Sequence, residues 1–311
     1  MIASSVSLAA SLATAAAPGQ SWSDRFWTSR DGLKLHFRDY AGSAERPPLL
    51  CLPGLTRNAR DFAQLADRLA GAWRVICPDL RGRGDSAYAK DSATYNPLQY
   101  ASDLEQLLAQ ERIDRFVAIG TSLGGLLTMF LAASGPDRIA GALLNDVGPE
   151  LNPAGLARIR DYVGQGRSFP TWMHAARGVE ESQAQAFPRY EASDWLGMAK
   201  RVMVLGAGGR IVFDYDMKIA DAFAPVGIAA ASAADAAAQA DLWPAFMALH
   251  GKPVTLLRGA LSDVLTAPAH SAMALRLPGA DAVTVAQVGH APMLDEPEAV
   301  AALDRLLARI Q

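Results

Sequence analysis

The sequence predicts an α/β fold, with a mostly parallel central sheet flanked by helices and a helical segment inserted between two of its strands. Three observations predict it. Short apolar runs such as "PPLLCLPG" (47–54) and "WRVICPDL" (73–80) alternate with stretches of helical spacing. Strands buried on both faces between crossover helices show this pattern. The alternation stops near residue 149 and resumes after 250. Finally, Gly120-Thr121-Ser122-Leu123-Gly124 stands where one apolar run meets the next helix-like one.

Taken in order, "DRFWTSRDGLKLHFRDY" (24–40) reads as two strands about the turn Arg30-Asp31-Gly32. The run 47–54 is a short core strand, and "NARDFAQLADRLAGA" (58–72) has helical spacing. A strand at 73–80 leads into the Gly-rich loop "RGRGDSA" (81–87). In "NPLQYASDLEQLLAQERI" (96–113), Asn96 caps a helix and Pro97 takes its first position. "RFVAIGTS" (115–122), "LGGLLTMFLAASG" (123–135) and "IAGALLNDVG" (139–148) read as strand, helix and strand. Residues 149–250 show helical segments with little strand pattern, and "GIAAASAADAAAQA" (227–240) is helical by propensity. The strand "KPVTLLRG" (252–259), helix "PAHSAMALRL" (268–277), strand "DAVTVAQVG" (281–289) and closing helix "EPEAVAALDRLLARI" (296–310) complete the chain. The expected division is a tail at 1–22, a core of 23–148 and 251–311, and an insertion at 149–250.

Half of the 311 residues are hydrophobic, enough for a sizeable core. A net charge of −3 gives no reason to expect nucleic acid or an anionic membrane as partner. Cys51 and Cys77 lie in core strands and read as buried thiols, without CxxC or His/Cys clustering for a metal. No run is long and apolar enough to span a membrane. Residues 1–17 are small and apolar like a signal peptide but lack its basic start, so a cytoplasmic location is expected, with export as the alternative.

Ser122 carries the chemistry. In G-x-S-x-G between strand and helix, the serine sits on a sharp elbow with its hydroxyl exposed above the sheet. A serine nucleophile needs a base, and of five histidines His290 alone follows the last strand, in "VGHAPMLDEP". His36 alternates with Leu33 and Leu35 and reads as structural. The base needs a carboxylate, and two follow strands at the same sheet edge: Asp263 in "RGALSDVL", and Asp146 in "GALLND" as the alternative. Asp79 and Asp85, in "PDLRGRGDS", read as structural.

Together, "LPGLTRN", "PDLRGRGDS", "GTSLGG", "RGALSDVL" and "VGHAPMLDEP" resemble the α/β-hydrolase superfamily over residues 25–311, with the insertion matching that family's helical cap. The resemblance implies Ser122 as nucleophile, His290 as base and Asp263 as the orienting acid. It implies an oxyanion hole from the backbone N–H groups of Leu55 and Leu123. One departure is that Pro53-Gly54 replaces a His-Gly common in the family. The expected activity is cofactor-independent and metal-independent hydrolysis of a small carboxylic ester or lactone. The alternatives are a C–C bond hydrolase with the same triad and a ligand receptor with little turnover. Arg57 is expected to meet a substrate carboxylate, and Trp172 and Trp195 to line the acyl site. Nothing in the sequence indicates the oligomeric state.

Overall fold

Eight strands form the central sheet of the computed structural model, which describes residues 20–223 and 241–310. The signal-like residues 1–17 and the Ala-rich run at 227–240 lie outside the described residues. The strands are β1 (Ser23–Thr28), β2 (Lys34–Tyr40), β3 (Leu49–Leu52), β4 (Val75–Pro78), β5 (Phe116–Thr121), β6 (Ile139–Asn145), β10 (Val254–Gly259) and β11 (Asp281–Val285), in the order β1-β2-β4-β3-β5-β6-β10-β11. The first two pairings, β1 with β2 and β2 with β4, are antiparallel. The others are parallel, so the chain must cross back over the sheet between them. Helices α1 (Ala63–Leu69), α2 (Pro97–Gln110) and α3 (Leu123–Ser134) make these crossings in the first half.

Side chains along the strands alternate between two buried layers. Leu50, Leu52 and Ala118 pack on the side of α2 and α3, whereas Leu49, Cys51, Val117 and Ile119 pack on the opposite side with Leu65 and Leu69 of α1. Every residue of β3, β4, β6 and β10 is buried, which explains why apolar residues dominate them. Cys51 and Cys77 are free, buried thiols.

Between β6 and β10 lie α4 (Pro153–Tyr162), β7 (Ser168–Phe169), α5 (Trp172–Gln183), α6 (Ala192–Val202), β8 (Met203–Leu205), β9 (Ile211–Phe213) and α7 (Trp243–Met247). Beside the expected helical segments the structure adds strands that the pattern did not indicate, because β7, β9 and β8 form a small antiparallel sheet. These strands are two or three residues long, too short for a period-2 pattern to register. Helices α8 (Ala267–Arg276) and α9 (Pro297–Ala308) complete the fold.

The ends of β5, β6, β10 and β11 share one edge of the sheet. The segments that follow them carry Ser122, Asp146, Ser262 with Asp263, and His290. Parallel α/β sheets place their ligand crevice at this edge.

Candidate active site

At the end of β5 the chain reverses direction through Ser122, at φ 52° and ψ −117°. A positive φ is sparsely populated for a residue with a Cβ and persists only when its surroundings enforce it. Here the Ser122 N–H donates to the Asn145 carbonyl at 2.9 Å, and the Ser122 carbonyl accepts from the N–H groups of Gly125 and Leu126 in α3. The flanking glycines make room for the elbow. A Cβ on Gly124 would lie 2.0 Å from the Leu52 oxygen, and one on Gly120 2.3 Å from the Gly124 oxygen. The helix can therefore pack on β3 and β5 only with both faces bare.

The Ser122 Oγ lies 2.8 Å from His290 Nε2, and His290 Nδ1 lies 2.7 Å from Asp146 Oδ2. A carboxylate only accepts hydrogen bonds, so Nδ1 carries the proton and Nε2 is left to accept from the serine hydroxyl. Asp146 is fully buried and has φ 57°. Its Oδ1 accepts from the Gly259 N–H at 2.9 Å, and its Oδ2 also accepts from the Ser262 hydroxyl at 2.6 Å. Three donors thus fix the carboxylate.

This arrangement corrects the expected acid. Asp263 makes no hydrogen bond to His290. Its carboxylate receives Nε and Nη2 of Arg158, on α4, at 2.5 and 2.8 Å. Those hydrogen bonds hold Asp263 below the usual carboxylate range. The reason is topological. In the order β5-β6-β10-β11, the end of β6 lies between the serine strand and the strand that leads to the histidine loop. Asp146 leaves β6 directly into that space, whereas Asp263 stands four residues past the end of β10 and reaches out to α4.

Two residues missed in the sequence also shape the site. Buried Asn145 donates from Nδ2 to the Thr121 hydroxyl at 3.0 Å and to the Pro292 carbonyl at 2.7 Å, which ties the serine elbow to the histidine loop. Ser262 braces Asp146. The available signal was their position, next to a candidate acid at the end of an apolar strand.

The Ser122 hydroxyl opens into a cavity of about 270 Å³, lined by Leu55, Leu123 and His290 from the core and by Leu156, Ile159, Val179 and Phe213 from residues 149–250. Among the described residues, no acceptor takes the N–H of Leu55 or Leu123. Arg57 also lines the cavity, with Nε and Nη2 on Asp61 at 2.5 and 2.8 Å. Its Nη1 has no protein acceptor among the described residues. Trp172 and Trp195 do not line the cavity. Trp195 is buried and packs edge-on against Phe187 and Tyr190, so it supports the wall from behind.

His36 is spoken for elsewhere. Its ring nitrogens lie 2.7 Å from Asp79 and 3.0 Å from Asp24, and Asp79 also accepts from the N–H groups of Ala59 and Asp85. Donor atoms of His36, Asp79 and Asp85 all lie within 4.8 Å of one another, the spacing of a cation site. Their hydrogen bonds to one another and to the backbone brace the loops after β3 and β4.

A family model described as the alpha/beta hydrolase family matches residues 49–303. The chain belongs to the alpha/beta hydrolase family. A 3-hydroxybutyrate-oligomer hydrolase of Cupriavidus necator is 35% identical over 274 residues, which cover 86% of this chain and 90% of that protein. A fluoroacetate dehalogenase of a Burkholderia species is 34% identical over 106 residues, covering 33% of this chain and 35% of that one. Among solved structures, an alpha/beta hydrolase of Novosphingobium aromaticivorans superposes with a TM-score of 0.87 at 62% identity, covering 93% of this chain and 99% of that one. The chain is thus a hydrolase by family, with the mostly parallel, helix-flanked sheet of that fold.

Proposed function

We propose that this hydrolase cleaves carboxylic esters through an acyl-enzyme on Ser122, and that its substrates are short oligoesters of a hydroxy acid. The observation that carries the first part is the continuous relay from Ser122 Oγ through His290 to Asp146. The second part rests on the likeness to the 3-hydroxybutyrate-oligomer hydrolase over most of both chains.

In the reaction the Ser122 oxygen attacks the ester carbonyl as His290 Nε2 takes its proton. Asp146 holds Nδ1 and stabilises the imidazolium that forms. The unoccupied N–H groups of Leu55 and Leu123 receive the oxyanion, replacing solvent with fixed dipoles where the charge develops. His290 returns the proton to the departing alkoxide. It then deprotonates a water that attacks the acyl-enzyme, releasing the acid and restoring Ser122. No step calls on a cofactor or a metal. A serine at the elbow supplies an acyl-forming nucleophile, whereas dehalogenation by this fold proceeds through a carboxylate there. Residues 149–250 serve as the cap over the core, and Arg57 Nη1 receives the free carboxylate of the oligoester.

The test combines labelling with turnover. A fluorophosphonate is expected to label the native protein and not Ser122→Ala. A linear 3-hydroxybutyrate trimer is expected to be hydrolysed with a lower KM than its methyl ester, a difference that Arg57→Ala removes. Labelling of another serine in Ser122→Ala refutes the nucleophile. An intact trimer alongside rapid cleavage of simple aryl esters refutes the substrate class alone.

A further inference from the structure

The loop "PDLRGRGDS" plays no part in the chemistry above, yet it holds a fully buried arginine. Arg83 has no ion-paired carboxylate among the described residues. Its Nε donates to the Leu55 carbonyl at 2.8 Å, and its Nη1 donates to the Arg81 carbonyl at 2.6 Å and the Tyr100 hydroxyl at 3.0 Å. Nη2 is buried with no hydrogen-bond partner among the described residues. The guanidinium carbon lies 4.6 Å from the ring centre of Tyr100 and 5.9 Å from that of Tyr95, and both rings line the cavity. A buried cation without a counter-ion is costly, and an orphaned donor adds to the cost. Packing alone would be served as well by an apolar side chain of that length.

The function lies in what Arg83 holds. Leu55 and Thr56 are the central residues of a turn closed by the Arg57 N–H on the Gly54 carbonyl at 3.1 Å. Arg83 takes the Leu55 carbonyl and so fixes one end of the residue whose N–H is open to the cavity. The same loop is tied on its other side to residues 149–250. The Gly84 N–H donates to the Asp214 carbonyl at 3.1 Å, and the Asp216 N–H to the Gly82 carbonyl at 2.8 Å. The neighbouring Asp79 carboxylate accepts from the Ala59 N–H at 2.7 Å. The loop after β4 therefore grips the Leu55 turn between the core and the segment that covers the cavity.

We propose that Arg83 is a positioning residue for transition-state binding: its grip on the Leu55 carbonyl keeps the Leu55 N–H aimed at the oxyanion. The proposal rests on the acyl-enzyme reading. Arg83→Met keeps length and packing but cannot hold the carbonyl. Arg83→Lys keeps the charge but loses the planar fork that reaches two carbonyls and a hydroxyl at once. For Arg83→Met, kcat on an aryl butyrate is expected to fall about 10- to 100-fold, below the full loss of one oxyanion donor. The inhibition constant of an alkylboronic acid, which forms a tetrahedral anion on Ser122, is expected to rise by the same factor while KM stays within about threefold. Arg83→Lys is expected to show a smaller loss of the same kind. A folded Arg83→Met with native kcat and boronate affinity, whatever its Tm, overturns the proposal. If Arg83→Met does not fold, native kcat and boronate affinity in Arg83→Lys overturn it equally. If the native enzyme takes neither fluorophosphonate nor boronate, the acyl-enzyme reading falls and this proposal with it. Native binding of both, unaltered by the substitutions, removes this proposal alone.

Discussion

Replacing Asp146 with Asn is the sharpest probe of the relay, because the structure dictates how the amide must sit. The carboxylate accepts from three donors: the Gly259 N–H on Oδ1, and the Ser262 hydroxyl and His290 Nδ1 on Oδ2. In Asp146→Asn, the amide oxygen can face Gly259 only if the NH2 faces His290. The imidazole must then accept at Nδ1 and carry its proton on Nε2, where it can no longer take the proton of Ser122. The flipped amide would instead set its NH2 against the Gly259 N–H, leaving a buried donor unpaired at a cost of about 1–3 kcal/mol. The first arrangement is preferred, and it holds His290 in the tautomer that cannot accept from Ser122. That fault lowers kcat about 10⁴-fold in a related triad, or about 5 kcal/mol at 1.36 kcal/mol per decade. Asp263→Asn breaks only a part-exposed pair with Arg158, a kind of contact worth about 0–1 kcal/mol. Its kcat is expected to stay within about threefold of native. The assay is kcat on an aryl butyrate for both variants, with thermal unfolding to confirm folding. A hundredfold loss in Asp263→Asn beside a mild effect in Asp146→Asn would refute the assignment.

Two further outcomes follow from the cavity wall and from the buried histidine. Because Trp195 stands behind the wall while Leu156 lines it, Leu156→Ala should shift acyl preference toward longer chains by about tenfold per methylene, within the 1–3 kcal/mol a methylene contact supplies. The profile of kcat/KM from acetate to octanoate esters reads this, and Trp195→Phe should run parallel to native; a shift in Trp195→Phe alone would count against the placement. Burial acts to lower the His36 pKa, but the hydrogen bonds and charges of Asp79 and Asp24, with the charge of Asp85, outweigh it and hold the pKa above its ordinary value. A raised folded pKa contributes stability that is complete below about pH 6.5 and is lost as pH rises through the folded pKa. The native Tm should therefore decline from pH 6 to pH 8.5 more steeply than that of His36→Gln, and equal slopes would show that His36 is not charged in the fold.

Much of this protein was legible along the chain. Apolar runs of four to eight residues identify strands buried on both faces, and the Gly120–Gly124 pattern between such a run and a helix marks the elbow, because only residues without a Cβ allow that approach. His290 was identifiable because a loop after the last strand must emerge at the same sheet edge. Those features are local, or follow from chain order and strand direction. Three others depend on which residues, far apart in the chain, the tertiary fold brings together. Asp146 and Asp263 are equivalent in sequence as acids after apolar strands, and only the placement of β6 between β5 and β10 puts Asp146 against His290 while Arg158 takes Asp263. Trp172 and Trp195 are large and apolar wherever they fall, and packing alone decides whether such a ring lines a cavity or stands behind its wall. Arg83 reads as one more charge in a Gly-rich loop until the fold buries it against the Leu55 carbonyl, because desolvation and counter-ion distance are properties of three dimensions. Local chemistry determined which residues can react, and the order of the strands decided which of them meet.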